Sequence, residues 1–372
     1  MLATPELLAE ASAADLRVGE RLRDRWPVDL VAAASEQAAL RLRATEKFSR
    51  GSAMLFTRPG LEQATDETVA RHRAQRFDDV KGTVLDLCCG IGGDLAAIGA
   101  VVDSVVGVDR AEVHALLARH NAAVHGVRVA VAVADVTQLR VDGASAVFVD
   151  PARRSATGDT AGDRRGGSSP PLEWCFALPS KRVCVKAAPG LQRRLVPPGW
   201  ETEFVAVGRD LKEAVLWSPG WATAGARATV LPAGVSMVAD PTVERAPVRP
   251  PGAFLLDPSP AVTRAGAVAD LAATLDAWQI DARIAFLSAD TPLRSPFGRA
   301  MTIESSLPFG VKPLAAELRR LDIGSVELRR RGLAGDVTDL RRRLRGKGSR
   351  SATVMLTRVA DRPWALVCSD LT

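Results

Sequence analysis

The segment Val84-Leu85-Asp86-Leu87-Cys88-Cys89-Gly90-Ile91-Gly92-Gly93-Asp94-Leu95 constrains this chain more than any other. An apolar run, a turn of small residues and a helix start mark a buried strand that hands over to a helix beside a ligand. Gly90 and Gly92 let the backbone approach a bound molecule closely, and Gly93 permits tight entry into the helix. Nineteen residues past Gly90, Asp109 closes a second apolar run, where a carboxylate can accept from both hydroxyls of a ribose.

The same unit repeats. Apolar runs at 105–109, 129–135, 146–150 and 182–186 alternate with helical segments, which predicts a parallel sheet with helices on both faces. Runs at 203–208, 214–217 and 226–231 follow with little helix between them and read as an antiparallel edge. Residues 1–76 read as helical, with Pro27 breaking the stretch in two. A Pro-rich stretch centred on Pro247, Pro250 and Pro251 reads as a linker. Beyond it a small α+β module is expected. Its helices fall at 267–278, 313–321 and 337–344, and its strands at 283–287, 300–304, 325–330, 353–357 and 365–368. The expected organisation is therefore a helical domain over 1–76, an α/β domain over 77–235, a linker over 236–252 and a small domain over 253–372.

Two cofactor classes use a glycine turn after the first strand. Dinucleotide enzymes place a pyrophosphate on the helix N-terminus. Here the glycine phase is wrong for that, and Asp86 would oppose the anion. An acid at that place suits a cation, such as the amino group of S-adenosylmethionine.

On these residues the segment resembles the class I S-adenosylmethionine-dependent methyltransferases, with Cys88 in place of the first motif glycine, as in several RNA methyltransferases. The resemblance implies a Rossmann-like sheet and S-adenosylmethionine as cofactor. It implies that Asp86, Cys88, Gly90, Gly92 and Gly93 hold the methionine end, and that Asp109 binds the ribose with Arg110 packing on the adenine. Asp135 would accept from the adenine amino group with Val136 against the ring; a helix-capping Asp gives the same sequence.

At the fourth strand the chain reads Asp150-Pro151-Ala152-Arg153, where methyltransferases acting on exocyclic amines carry (D/N/S)-P-P-(F/Y/W). A side-chain oxygen and a proline carbonyl can accept both N–H bonds of an aromatic amine and orient its lone pair for in-line attack. Asp150, Pro151 and Arg153 are thus the expected catalytic group, with Arg153 stacking on a base or, like Arg154, meeting a phosphate. No cysteine lies where carbon-5 methylation needs one. Residues 155–171 read as a loop after the acceptor strand, and Lys186, ending the fifth strand, is either a substrate contact or a solvated lysine. The four histidines point to neither a base nor a metal.

Charge is concentrated near the C-terminus. Between Lys312 and Arg350, twelve basic residues face five acids, +7 in a chain whose total is +6. The segment from Pro313 through Arg329-Arg330-Arg331 to Arg341-Arg342-Arg343 resembles a THUMP-like domain, which implies RNA binding. Arg329, Arg330, Arg331, Arg341, Arg342, Arg343 and Lys347 are the expected RNA contacts, through the backbone rather than by stacking, since the chain has no Tyr. Residues 47–65 resemble the N-terminal stretch of a bacterial and archaeal group pairing these domains, and by that likeness Phe56 and Thr65 would help cover the cofactor.

Glu6, Glu10 and Asp15 break any signal-peptide core, and five irregularly spaced cysteines give no disulfide framework or zinc pattern. A cytoplasmic enzyme with no membrane or metal partner is expected, with its oligomeric state open. The reading is methylation of a base nitrogen in structured RNA (tRNA or rRNA). The alternatives are a methyltransferase acting on protein or a small molecule, a non-catalytic RNA-binding protein with the same fold, and, most distantly, a dinucleotide-dependent dehydrogenase.

Overall fold

A computed structural model describes residues 4–11, 16–153, 168–333, 337–344 and 346–371. The chain divides into two compact units, residues 1–202 with 213–223 and residues 203–212 with 224–372.

The first unit opens with helices α1 (Pro5–Glu10), α2 (Leu16–Arg23), α3 (Val28–Ala44), α4 (Arg58–Gln63) and α5 (Glu67–Ala74). Pro27 separates α2 from α3, as its missing N–H requires. Thr57 and Asp66 cap α4 and α5 by accepting from Gly60 N–H and Thr68 N–H. The sheet strands β1 (Thr83–Leu87), β2 (Ser104–Asp109), β3 (Ala130–Val133), β4 (Ala146–Val149) and β5 (Val183–Ala187) pair in parallel in the order β3-β2-β1-β4-β5. Between them run α6 (Gly93–Gly99), α7 (Glu112–Val124) and α8 (Leu172–Phe176). Residues 214–217 add antiparallel to β5, Cys184 opposite Trp217. Strand order reverses between β2-β1 and β4, which opens a crevice at the carboxyl ends of β1 and β4.

One buried side chain ties the helical segment to this sheet. Asn121 on α7 accepts from Leu55 N–H at 2.8 Å and donates to the carbonyls of Leu55 and Ile91, both at 2.9 Å. A segment before the sheet and the glycine turn after β1 therefore hang on one amide. Packing repeats the link, because a Cβ on Gly60 would stand 2.5 Å from Ile91 Cγ2.

The second unit contains most of β6 (Glu201–Val207), with β8 (Ala226–Leu231) and β9 (Val235–Val238), in the order β9-β8-β6. In the chain, β6 and β8 are separated by strand β7 (Asp210–Trp217), whose last residues belong to the first unit. The second unit's other sheet contains β10 (Phe254–Pro258), β11 (Trp278–Asp281), β12 (Ile284–Ala289), β13 (Gly298–Pro308), β14 (Ile323–Arg330), β15 (Arg350–Val359) and β16 (Arg362–Asp370). Their order is β11-β12-β10-β13-β16-β15-β14, and β14 with β15 is a parallel pair crossed over by α12 (Val337–Leu344). Helices α11 (Val311–Arg320) and α12 cover one face through Leu314, Leu318 and Leu344. On the other face Ile280, Ile284 and Phe286 share a core with Met355 and Leu366, so the sheet curls on itself.

The expected helix over 267–278 is corrected. Two helices stand there, α9 (Pro260–Ala265) and α10 (Val268–Thr274), and Trp278 begins β11 instead. Asp276 takes φ +48°, which no helix continues through. The Pro-rich segment supplies the partner, since Gln279 N–H donates to Pro247 O at 2.9 Å and Trp278 Nε1 to Pro250 O at 2.8 Å. Residues 236–252, expected to link domains, thus carry most of β9 and then dock on β11.

Replacing Asn121 by Ala orphans the buried N–H of Leu55, at about 1–3 kcal/mol for each group left without a partner. A urea titration of the full chain should show a clearly lowered midpoint, and an unchanged one would contradict the clamp.

Candidate active site

The turn after β1 alternates its handedness. Cys88, Gly90 and Gly92 have φ of +64°, +52° and +83°. Cys88 bears a Cβ in that region, a strain of roughly 1–2 kcal/mol. A Cβ on Gly90 would meet nothing, so the space beside it is open to a ligand. Gly92 serves packing, because a Cβ there would lie 2.7 Å from Ala118 Cα on α7. A Cβ on Gly93 would lie 3.4 Å from the Phe48 ring.

Behind the turn the carboxylates outnumber the cations. Asp86 on β1 is fully buried, and neither of its oxygens has a hydrogen-bond partner. Burial raises its pKa well above the ordinary carboxylate value, and the charges of Asp94 and Asp150 add to the rise against the pull of Arg73. Arg73 on α5, 1% exposed, bridges Asp94 on α6 and Glu213 on β7. Burial works against its charge, but those two carboxylates keep it firmly protonated. Thr65 Oγ1 donates to Asp94 at 3.0 Å, and the Arg73 guanidinium stands 4.9 Å over the Phe148 ring. Asp150, directly after β4, accepts from Lys186 Nζ on β5 at 2.7 Å. Burial opposes the charge on Lys186, yet Asp150, then Asp94 and Glu213, raise its pKa. Lys186 is therefore a buried ion-pair partner rather than a solvated lysine.

Among the described residues, Asp86, Asp94, Asp150 and Glu213 thus face Arg73 and Lys186, four carboxylates to two cations. A site built this way favours a cation, and the ammonium and sulfonium of S-adenosylmethionine fit it. Burial, then Asp109 and Asp150, push the Cys88 thiol up to about 12, so it stays protonated and is no nucleophile at neutral pH.

Asp109 at the end of β2 accepts from Gly90 N–H and Ala111 N–H, each at 2.9 Å, with His114 Nδ1 at 3.5 Å. Burial alone would raise its pKa, but the His114 contact and the two backbone bonds hold it below the ordinary value. Oδ2, which accepts from Gly90 N–H, keeps a lone pair for a ribose hydroxyl, whereas Oδ1 already meets Ala111 N–H and His114. Arg110 is exposed and Val136 buried. Asp135 is exposed and caps a short turn, accepting from Thr137 N–H at 2.9 Å and Thr137 Oγ1 at 2.7 Å.

Pro151 is buried, and residues 152–153 pair with 168–169 in a two-stranded ribbon. The side chain of Arg153, Arg154 and most of the expected loop, 155–167, lie outside the described residues. Among the expected RNA contacts, Arg330 and Lys347 are exposed, as are Arg341, Arg342 and Arg343 on α12. Arg329 Nε donates to Glu327 at 2.8 Å. Arg331 turns inward, 3.5 Å from Asp257 and stacked over the Phe286 ring.

The structure therefore brings Asp86, Cys88, Gly90, Asp109 and Asp150 together at the carboxyl ends of adjacent strands. It adds residues that sequence reasoning missed. Asp94 sits in the first motif, and His114 follows Asp109 by five residues. Arg73 and Glu213 carry no local signal, being 140 residues apart. Among the described residues no cluster is placed to hold a metal, and no helix is long and apolar enough to cross a membrane.

The comparisons agree with this geometry. A methyltransferase domain model matches residues 84–150, and a THUMP domain-like model matches residues 298–370. Two uncharacterized S-adenosylmethionine-dependent methyltransferases of Mycobacterium tuberculosis, strains CDC 1551 / Oshkosh and ATCC 25618 / H37Rv, are each 38% identical over 316 residues. The match covers 83% of this chain and 86% of theirs. A crystal structure from Porphyromonas gingivalis W83, of a protein proposed to be a methyltransferase, superposes with a TM-score of 0.76 at 20% identity. It covers 92% of this chain and 91% of that one, a likeness of fold.

The raised pKa of Asp86 has a defined sign. Its native pKa lies above the unfolded value of about 4, so ionisation opposes folding and stability falls as pH rises through that interval. Asp86→Asn removes the penalty. Without cofactor, its melting temperature should exceed that of the wild type at about pH 7.5, with the gap closing towards pH 4. The same variant should bind S-adenosylmethionine at least about tenfold more weakly, as for a lost charged hydrogen bond. A pH-independent gap would contradict the first expectation, and an unchanged Kd the second.

Proposed function

The chain belongs to the class I S-adenosylmethionine-dependent methyltransferases and carries a C-terminal THUMP-like domain, and from that premise we propose that it methylates a base nitrogen of a structured RNA, tRNA or rRNA, in the cytoplasm. The observation that carries this reading is Asp150-Pro151 at the end of β4, one strand from the buried, unpartnered Asp86.

When bound, S-adenosylmethionine supplies an electrophilic methyl group on a positively charged sulfur. The protein's part is orientation. Asp86 and the open side of Gly90 receive the methionine end, and Asp109 the ribose. Asp150 accepts from the amine N–H, with the Pro151 carbonyl as second acceptor, so the lone pair points along the line of attack. Lys186 holds Asp150 through one oxygen at 2.7 Å and leaves the other for substrate. The amine proton passes to Asp150, which is 30% exposed at its side chain and can release it to water. The RNA backbone would lie on the basic surface of the C-terminal domain, where Arg330, Arg341, Arg342, Arg343 and Lys347 are exposed.

The direct test is transfer of labelled methyl groups from S-adenosylmethionine to total RNA from cells lacking this protein, with their soluble protein in parallel. Label in an RNA fraction supports the reading, and label only in protein replaces it with a protein methyltransferase. No label in either, with cofactor bound, favours a non-catalytic RNA-binding protein, which Ala152 and Arg153 at the motif positions would suit. Asp150→Ala should lower kcat by at least about a hundredfold with cofactor Kd unchanged, on the scale of a lost positioning and proton-accepting group. Unimpaired turnover in that variant would remove the acceptor assignment.

A further inference from the structure

The second unit gathers Arg209 and Arg299, from outside the basic window, with Arg329 and Arg331 from within it. Side-chain alternation along the strands puts Asp257 on the face of Leu255, Arg299 on that of Met301 and Asp370 on that of Cys368. That face is opposite to α11 and α12. Glu327 joins it through Thr353, its register partner on β15. Arg299 donates to Glu327 at 2.9 Å, to Asp370 at 2.7 Å and to Thr353 at 3.2 Å, and is satisfied. Arg329 and Arg209 approach the same Glu327, at 2.8 Å and 3.8 Å, and Arg331 faces Asp257.

The donors exceed the acceptors. A guanidinium has five N–H groups, whereas Glu327 offers two oxygens to three arginines. Among the described residues Arg329 spends only Nε, Arg209 makes no contact as short as a hydrogen bond, and buried Arg331 Nη1 has no hydrogen-bond partner; Asp257 Oδ1, 3.5 Å from Arg331, is the one buried acceptor there that also has none. Arg209 is 43% exposed, so the cluster is open to solvent on that side. Burial, then the charges of Arg329 and Arg299, depress its pKa, the mark of cations crowded without enough counter-charge.

We infer that Arg209, Arg329 and Arg331, held in place by Glu327 and Asp257, form a binding site for a phosphate of the RNA backbone. The site lies on the sheet face opposite the α12 arginines, so the domain has two separate anion-binding surfaces. An oxyanion with several acceptor oxygens matches the unspent guanidinium forks. This rests on the RNA reading above.

The test uses the full chain and fluorescein-labelled bulk bacterial tRNA, titrated at several salt concentrations. The double variant Arg209→Ala/Arg329→Ala should bind roughly tenfold more weakly, and its slope of log K against log salt should fall by about 1 for each phosphate no longer neutralised. Arg209→Lys/Arg329→Lys should recover part of the affinity, and S-adenosylmethionine binding should be unchanged in both. Wild-type affinity and slope in the alanine variant, with weakened binding in Arg342→Ala/Arg343→Ala, would overturn this site and leave the RNA reading standing. Absence of tRNA binding by the wild type at low salt would overturn both. Protection of the wild type but not the alanine variant by inorganic phosphate, with tRNA affinity equal in the two, would overturn the RNA assignment in favour of a free oxyanion.

Discussion

The first unit is organised around one buried cation. Arg73 reaches from the last helix before the sheet and is held by Asp94, just past the glycine turn, and by Glu213, on the antiparallel edge. Removing one partner of such a buried pair costs about 3–5 kcal/mol, because the other is left charged without compensation. Three segments distant in the chain are thus locked in one geometry in the buried layer behind the glycine turn. The helical segment before the sheet is for this reason part of the site's frame. Asn121 makes the same connection with neutral groups, joining Leu55 to Ile91.

Arg73 satisfies Asp94 and Glu213, and Lys186 satisfies Asp150. Asp86 is left. A fully buried carboxylate without a hydrogen bond destabilises the protein by itself, and an observed defect of this kind marks a place kept for a ligand. The left-handed Cys88 adds strain a few atoms away. Both costs fall on the residues that the cofactor would meet, in keeping with the trade between stability and activity at binding sites. Burial also decides what the nearby cysteines cannot be. Cys88 and Cys175 have thiols pushed up to about 12, so neither supplies a thiolate at neutral pH.

The C-terminal domain separates its work by strand alternation. Even-numbered positions of β14, Val326 and Leu328, pack under the helices, while Glu327 and Arg329 stand on the other face. Three consecutive arginines therefore have three different fates. Arg329 pairs with Glu327, Arg330 is exposed on the helix side, and Arg331 turns in over Phe286. A count of basic residues treats them alike, and the pleat does not.

Short-range physics wrote much of this protein into its sequence. The alternation of apolar runs with helical segments set the parallel sheet, the glycines after β1 set the turn that leaves open space beside Gly90, and Pro27 set the break between α2 and α3. The carboxylates at the strand ends were legible for the same reason, since each is determined within a few residues of itself. The misses have the opposite origin. Trp278 and Gln279 became a strand by pairing with β12, with Pro247 accepting from Gln279 N–H on the other side, and β10 became one through its neighbours β12 and β13. Charge pairing is equally non-local. Nothing near Arg73, Glu213 or Arg209 in the sequence says which carboxylate or guanidinium each will meet. Local sterics and propensity act between chain neighbours and can be read from sequence alone, whereas burial and ion pairing act between residues that only the folded chain brings together.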